Sequence, residues 1–480
     1  MAIHWHRRDL RAPDNVGLAA AAGVGWPADD GTGSEAGVVP LFVFDDTVLE
    51  HGTPPRVAFM LDALDSLRAE YRELGGDLLV ERGDPREALV RVAAEHGHDR
   101  VVWNRTHSGL GRERDDDVRE QLEDEGVAVD TYEDDLLHEP GSITTNAGDY
   151  YSVYTYFWKK WRDRPKDDPA PAPEGEEIAL DPGDRGAMPT LEELGFEEPE
   201  ADVEPAGTAQ ARERLSTFCE SDVFRYDEAR EHPAEDAPSR LSAHLTWGTI
   251  GPREVYWATD EAHGRADGEE EREAVEEFQS QLAWREFYTH VLHFEPQVVT
   301  ENYKSYEHEI EWRSDPEELQ AWKDGETGYP IVDAGMRQLR QEAYMHNRVR
   351  MIVASFLTKD LLVDWRAGYD WFRRRLADHD TANNNGGWQW AASTGTDAQP
   401  YFRIFNPMTQ GERYDPDARY VKEYVPELRS ASADAVHSWH ELSPAERERQ
   451  APDYPAPVVD HSKRREEALD MYQRARGDDD

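Results

Sequence analysis

The stretch DLLVERGDPREALVRVAAEHGHDRVVWN at residues 77–104 decides the fold. Asp77–Glu81 is a short apolar run of strand length. Asp84-Pro85 then reads as an N-cap followed by proline at the first helical position, opening a helix to Glu95. Arg100–Asn104 is apolar again. A strand, a helix and a second strand in succession return the chain parallel to itself. The same alternation extends outward on both sides. Ala2–Trp5 and Val38–Phe44 are apolar runs, separated by a Gly/Asp-rich stretch at 23–37 that reads as a surface loop. Arg56–Leu74 carries Phe59, Leu61, Leu64 and Leu67 at helical spacing. A charged helix to about Glu125 leads to the strand Val127–Tyr132. Residues 1–135 are therefore expected to form an α/β domain on a doubly wound, parallel, five-stranded sheet. No G-x-G-x-x-G or Walker sequence accompanies it, which leaves a dinucleotide or triphosphate on this sheet unsupported.

Beyond this domain the pattern changes. Residues 136–205 read as a connector, and Arg164–Pro205 is rich in Pro, Gly and acid with little periodicity. From about Thr208 the apolar spacing is almost wholly helical, so 206–480 is expected to be all-α, ending in a short acidic, solvated tail. The 480 residues carry 101 Asp and Glu against 53 Lys and Arg, a formal charge of −48, and only 8 of the basic residues are Lys. Such an excess repels itself in dilute buffer. At about 1 M salt the Debye length falls to roughly 3 Å and the repulsion is screened. The composition thus describes a halophilic cytoplasm and does not by itself exclude a nucleic-acid partner. The 15 Trp argue for a packed core in spite of a mean hydropathy of −0.85. A single Cys, Cys219, excludes a disulfide framework and a Cys-based zinc site. Neither a signal-peptide core nor a membrane-length apolar run is present. A cytoplasmic monomer without membrane or obligate protein partners is expected.

Several segments carry chemistry. On a helix over Glu277–Leu292, Gln281, Trp284, Arg285 and Tyr288 fall at i, i+3, i+4 and i+7 and share one face, while Ala283, Phe287 and Val291 form an apolar one. An amide, an indole, a guanidinium and a phenol together suit flat bases and phosphates, although helix–helix contact is the commoner use of such a face. A helix over Met345–Leu361 repeats the pattern: Met345, Val349, Ile352 and Phe356 make a core stripe, with Asn347, Arg350 and Met351 on another face. Residues 376–407, with Asn383–Asn385, Gly386, Gly387, Trp388 and Trp390, do not read as an ordinary helix core, because Asn and Gly favour turns. A polar cofactor held by carboxylates and amides fits them better. Ser239 and Ser242 flank Arg240 where a helix is expected to begin, a place that suits phosphate or a simple N-cap. No convincing metal spacing is found.

These segments, with HWHRRDLRAPDNVGL (4–18), SRLSAHL (239–245), QLAWREFY (281–288), GYPIVDAGMRQL (328–339), MHNRVRMIVASFLTKDLLVDWR (345–366) and NNNGGWQWAASTGTDAQPYFRIFNP (383–407), resemble the photolyase/cryptochrome family, in order and over essentially the whole chain. The resemblance implies an N-terminal antenna domain and a helical domain holding FAD. Carried across residue by residue, Tyr226, Ser239, Arg240, Leu241 and Ser242 meet the FAD phosphates and ribityl chain. Pro238 stands where Thr is common, so one phosphate contact is missing. Arg350 and Asp378 form the ion pair beside the flavin ring, with His379 and Asp380 nearby, and Asn384 faces flavin N5. Trp388, Trp365 and Trp312 match the electron-carrying tryptophan chain. Trp284, Asn347, Met351 and Trp390 resemble the dimer pocket of class I cyclobutane pyrimidine dimer photolyases. Gln281 and Tyr288 belong to the same face, and Gln281 replaces a usual Glu. Arg285, Arg348 and Arg403 are implied to meet DNA phosphates, with Arg230 a weaker candidate.

The implied activity is light-driven splitting of pyrimidine dimers in DNA. A cryptochrome-type photoreceptor without repair is the alternative. VVWNR (101–105) and the helix after it resemble members that carry 8-hydroxy-5-deazaflavin as antenna. Absence of an Asn-Glu pair near Leu110-Gly111 disfavours the other choice, 5,10-methenyltetrahydrofolate. Arg56 is expected to line the same pocket.

Overall fold

The computed structural model describes residues 1–24, 37–179, 186–235 and 237–477. The strands are β1 (Ala2–His6), β2 (Val38–Phe44), β3 (Leu79–Arg82), β4 (Arg100–Asn104) and β5 (Ala128–Tyr132). All pair in parallel, in the order β3-β2-β1-β4-β5. Ile3 is in register with Val39 on one side and Val101 on the other. Every residue of β1 and β2 is buried, as expected for central strands covered on both faces. Asp84 caps the Pro85–His96 helix by accepting from the Arg86 N–H at 2.9 Å. Most of the surface loop expected at 23–37 lies outside the described residues.

The helical part is built around Glu269–Phe294, which packs against Tyr154–Asp163, Pro252–Arg265 and Thr381–Ala391. A second core forms around Val332, Val349, Val353, Trp365, Val421 and Trp439. The Met345, Val349, Ile352 and Phe356 stripe is buried as its spacing requires. Its helix is shorter than expected, covering Asn347–Ser355 and continuing as a π-turn over Phe356–Asp360.

Three expectations are corrected. First, the connector does not run free. Tyr154–Asp163 is an amphipathic helix with Phe157 and Trp161 buried, and Ile178 and Leu194 join the core of the α/β domain. Second, the final residues as far as Gly477 are not a solvated tail. His461–Arg476 is a helix whose Ala468, Met471, Tyr472 and Ala475 are buried, while 478–480 lie outside the described residues. Third, the Asn/Gly run is helical, over Thr381–Ala391. Asp380 caps it, the Asn385 and Gln389 amides donate to the Val298 carbonyl at 2.7 Å each, and Gly386 lies under the Tyr288 ring. Tertiary partners thus supply what local propensity withholds.

The two parts are sewn together by buried charge. Arg253 donates to Asp14 and to Asp134 at 2.6 Å each, and Arg11 donates to Asp134 at 2.7 Å. Each charge is paired and hydrogen-bonded, the condition under which buried ions are tolerated. Gly251 is required there, since a Cβ would fall 1.7 Å from Asp14 Oδ2.

Candidate functional site

The residues expected to hold a flavin lie on four segments of the helical part. Arg350 donates twice to Asp378, at 3.2 and 2.7 Å, and its Nε donates to the Met345 carbonyl at 2.7 Å. His379 is pushed down to about 3, first by burial and then by Arg56, and is therefore neutral. Asp380 accepts from the Asn383 N–H at 2.9 Å and lies 3.7 Å from Arg8, and its carboxyl is held low by Arg8 and Arg285 against the opposing effect of burial. The Asn384 amide donates to the Tyr369 carbonyl at 3.2 Å and lies 3.2 Å from His379 Nδ1. Arg240 takes a left-handed backbone with φ of 51° and donates to Glu342 at 2.6 Å. The Ser242 hydroxyl is shielded from solvent and has no hydrogen-bond partner among the described residues. Tyr226, Pro238 and Ser239 stay partly exposed, and Leu241 is buried. A shielded hydroxyl without a partner, beside an ion pair and neutral amides, fits the phosphates and polar ring of FAD.

Two of the three tryptophans are buried and the third reaches solvent. Trp388 and Trp365 are 2% and 0% exposed, and Trp312 is partly exposed. Trp365 and Trp388 sit on the packed helices Trp365–Arg375 and Thr381–Ala391. Trp312 is tied to the chain just before Trp365, because the Arg313 N–H donates to the Leu362 carbonyl at 2.7 Å.

On the Glu269–Phe294 helix, Trp284 and Tyr288 tilt together at 5.5 Å. Trp284 is backed on one face by Tyr154, whose ring stacks at 3.6 Å. Sequence reasoning missed Tyr154, which lies in the segment read as connector. Asn347 is exposed, and Met351 and Trp390 are half-buried. Asn347 Nδ2 lies 4.0 Å from Met351 Sδ, and Trp390 lies against Phe405. The arginines expected at DNA behave differently from one another. Arg403 is exposed. Arg348 pairs with Glu231 and Arg230 with Glu277. Arg285 is turned into the domain junction, where it donates to the Asp135 carboxylate and to the Asp135 and Leu245 carbonyls. It is not presented at the surface as expected, because Asp135 offers it a partner that its own helix does not.

A cleft opens between the two parts. Its floor is the switch point of the sheet, where β1 and β4 end: Arg7, Arg8 and Asp9 on one side, Asn104–Ser108 on the other. Crevices outside the carboxyl ends of strands at a switch point are where open parallel sheets take ligands. Leu245, Thr289 and Asp380 close it from the helical part. Arg114 also faces it, its guanidinium pushed down to about 10 by burial and by Arg7. Arg56 is not among the residues that line it; its guanidinium donates to Thr53 Oγ1 at 3.1 Å and to the His51 carbonyl. Below the cleft His4, His6 and Asp9 bring possible metal ligands within 4.8 Å of one another, a group that sequence spacing did not reveal. Asp9 Oδ2 already accepts from Asn104 at 2.7 Å and Asn15 at 3.0 Å and lies 3.0 Å from His4 Nε2, so the group forms a hydrogen-bonded knot.

Comparison with known proteins agrees with this geometry. Residues 2–174 match the family model for DNA photolyase, and residues 278–474 match that for the FAD binding domain of DNA photolyase. A deoxyribodipyrimidine photo-lyase of Halobacterium salinarum is 64% identical, with 100% of each chain covered. A bacterial class III photolyase from Agrobacterium tumefaciens superposes with a TM-score of 0.89 at 36% identity, covering 99% of this chain and 98% of that one. An archaeal photolyase from Sulfolobus tokodaii, described with two FAD molecules, gives 0.82 at 32% identity, covering 98% and 99%. With identity at this level over the full length of both chains, and both family models matched, the chain belongs to the DNA photolyase family.

Proposed function

We propose that the chain is a deoxyribodipyrimidine photo-lyase of class I, which binds DNA containing cyclobutane pyrimidine dimers and splits the dimers in light. The observation that carries this reading is the state of Trp284, Met351 and Trp390. Three bulky apolar side chains are left half-buried on helices whose apolar positions Ala283, Phe287, Val349, Ile352, Trp388 and Ala391 are buried. When bound, reduced FAD supplies the electron that, on excitation, opens the cyclobutane ring and is then returned. Around it, Arg350 and Asp378 offer a compensated charge pair, and Asn384 offers a neutral amide that neither protonates nor deprotonates. Ser242 and its neighbours hold the phosphates. Trp388, Trp365 and Trp312 provide a route by which an electron reaches the flavin from the surface. Trp284 and Trp390 receive a dimer flipped from the duplex by stacking, which is tolerant of high salt. Phosphate contacts release counterions, and that gain is small at molar salt.

The arginine-lined switch-point cleft supports an anionic antenna chromophore, for which 8-hydroxy-5-deazaflavin is favoured over 5,10-methenyltetrahydrofolate. A second FAD, as in the Sulfolobus relative, is a further candidate. Chromatography of the chromophores released on denaturation distinguishes the three. The protein is expected to act as a cytoplasmic monomer on DNA. Among the described residues no helix is long and apolar enough to cross a membrane.

The alternative is a cryptochrome-type photoreceptor. It draws support from Gln281, whose amide nitrogen is engaged along its own helix. The two readings separate when reduced protein is illuminated with dimer-bearing DNA that it demonstrably binds. Restored thymine absorbance is expected for the lyase, and none for the photoreceptor.

A further inference from the structure

Gln281 sits in a closed ring of three side chains. Its two Nε2 hydrogens are shared among three acceptors, Glu277 Oε1 at 3.1 Å, the Glu277 carbonyl at 3.1 Å and Ser280 Oγ at 2.9 Å. Its Oε1 accepts from Arg230 Nη2 at 3.2 Å. Arg230 Nη1 closes the ring on Glu277 Oε1. Arginine can only donate and a carboxylate can only accept, so the two neighbours fix which end of the amide is which. The amide donors are consumed by Glu277 and Ser280, and the carboxamide oxygen keeps one lone pair. To a ligand Gln281 therefore offers an acceptor, as a carboxylate would.

We propose that Glu277, with Arg230, is a positioning residue that locks the Gln281 amide with its oxygen toward the dimer, so that Gln281 accepts from a pyrimidine ring N–H. This rests on the reading of Gln281 as a dimer contact. Glu277 places a carboxylate one helical turn before Gln281, and Arg230 balances it there. A Glu at 281 in this chain would place two carboxylates at i and i+4 against one guanidinium, a repulsive arrangement on a helix.

The test is a double-mutant cycle of Glu277→Gln and Gln281→Glu, read as the Kd for a thymine-dimer oligonucleotide and for its undamaged counterpart in molar KCl, with thermal melts to confirm folding. Each single substitution is expected to weaken dimer binding several-fold. The double substitution is expected to return it to within about twofold of the parent, a coupling of about tenfold. Undamaged-DNA affinity should not follow this pattern. A dimer methylated at pyrimidine N3 supplies a readout that mere structure does not move: the parent should discriminate against it, and Glu277→Gln should discriminate less. Additive effects, or a Gln281→Glu protein that binds at least as tightly as the parent, would overturn the clamp while leaving photolyase activity of the parent intact. A parent with no preference for dimer DNA would instead overturn the reading on which the clamp rests.

Discussion

Replacing Gly368 by Ala should damage both stability and the entry of electrons. Gly368 lies on the Trp365–Arg375 helix beneath the Trp388 ring. A Cβ there would fall 2.1 Å from Trp388 Cη2 and 2.3 Å from Cζ3. Carbon atoms pack at about 3.5–4.0 Å, so the ring or the helix must move by roughly 1.5 Å. The indole has nowhere to go. It is 2% exposed, with Phe372 edge-on at 5.0 Å and Trp322 edge-on at 6.0 Å. Overpacking of this kind costs ~3 kcal/mol. At ~2–4 °C per kcal/mol for a domain of this size, Tm should fall by roughly 6–12 °C in molar KCl. Flavin photoreduction should slow in the same variant, because Trp388 is the innermost member of the proposed tryptophan chain. Gly387→Ala is the control: its Cβ meets nothing within 4 Å, so the apo protein should melt at the same temperature or up to about 3 °C higher. A Gly368→Ala protein that melts within about 2 °C of the parent and photoreduces at the parental rate would refute the packing argument.

Other consequences follow from single groups. The Glu286 carboxyl is 2% exposed, and burial pushes it up to about 8. Between the ordinary value near 4.5 and about 8, the folded protein keeps a proton that the unfolded chain releases, so stability falls as pH rises through that window. At pH 7 the loss is roughly 3 kcal/mol relative to pH below 4, on the order of the shift in protonation free energy. Glu286→Gln should flatten the melting temperature between about pH 5 and 8, and parallel slopes for the two proteins would contradict the assignment. Ser242→Ala removes a hydroxyl without a protein partner, so the apo protein should melt unchanged while flavin affinity falls about tenfold, as for one hydrogen bond to a charged group. Equal flavin retention on gel filtration and titration would remove Ser242 from the cradle. With a charge of −48, the protein should lose stability steadily as KCl is lowered from about 1 M to 0.1 M, where the Debye length grows from roughly 3 to 10 Å; a flat melting temperature over that range would contradict a screening role for salt.

Much of this was legible in the residues themselves. Val38–Phe44 and Arg100–Asn104 coincide with the observed strands, because short apolar runs bounded by Asp45 in the one case and Asp99 in the other leave few alternatives. What failed did so for identifiable reasons. Glu269–Glu271 open the longest helix eight residues before the sequence-based start, because an all-acidic first turn carries no apolar period. The His461–Arg476 helix had its signal at Ala468, Met471, Tyr472 and Ala475, but those four apolar positions are masked by the charged residues that surround them. The candidate site was legible as a set of residues, including the Arg350–Asp378 pair. Its surroundings were not, since Tyr154 behind Trp284 and Asp135 beside Arg285 are brought in by tertiary folding alone. The switch-point cleft likewise needs Arg8 and Asp380, far apart in sequence, to meet.

The most direct test is repair of a thymine-dimer oligonucleotide by pre-reduced protein in molar KCl, followed as thymine absorbance against light dose, with a dark control and a Trp284→Ala/Trp390→Ala protein in parallel. A light-driven lyase should restore absorbance in proportion to dose, restore none in darkness, and lose most of the effect when the stacking pair is removed. Full binding of the dimer with no recovery at any dose would contradict the account.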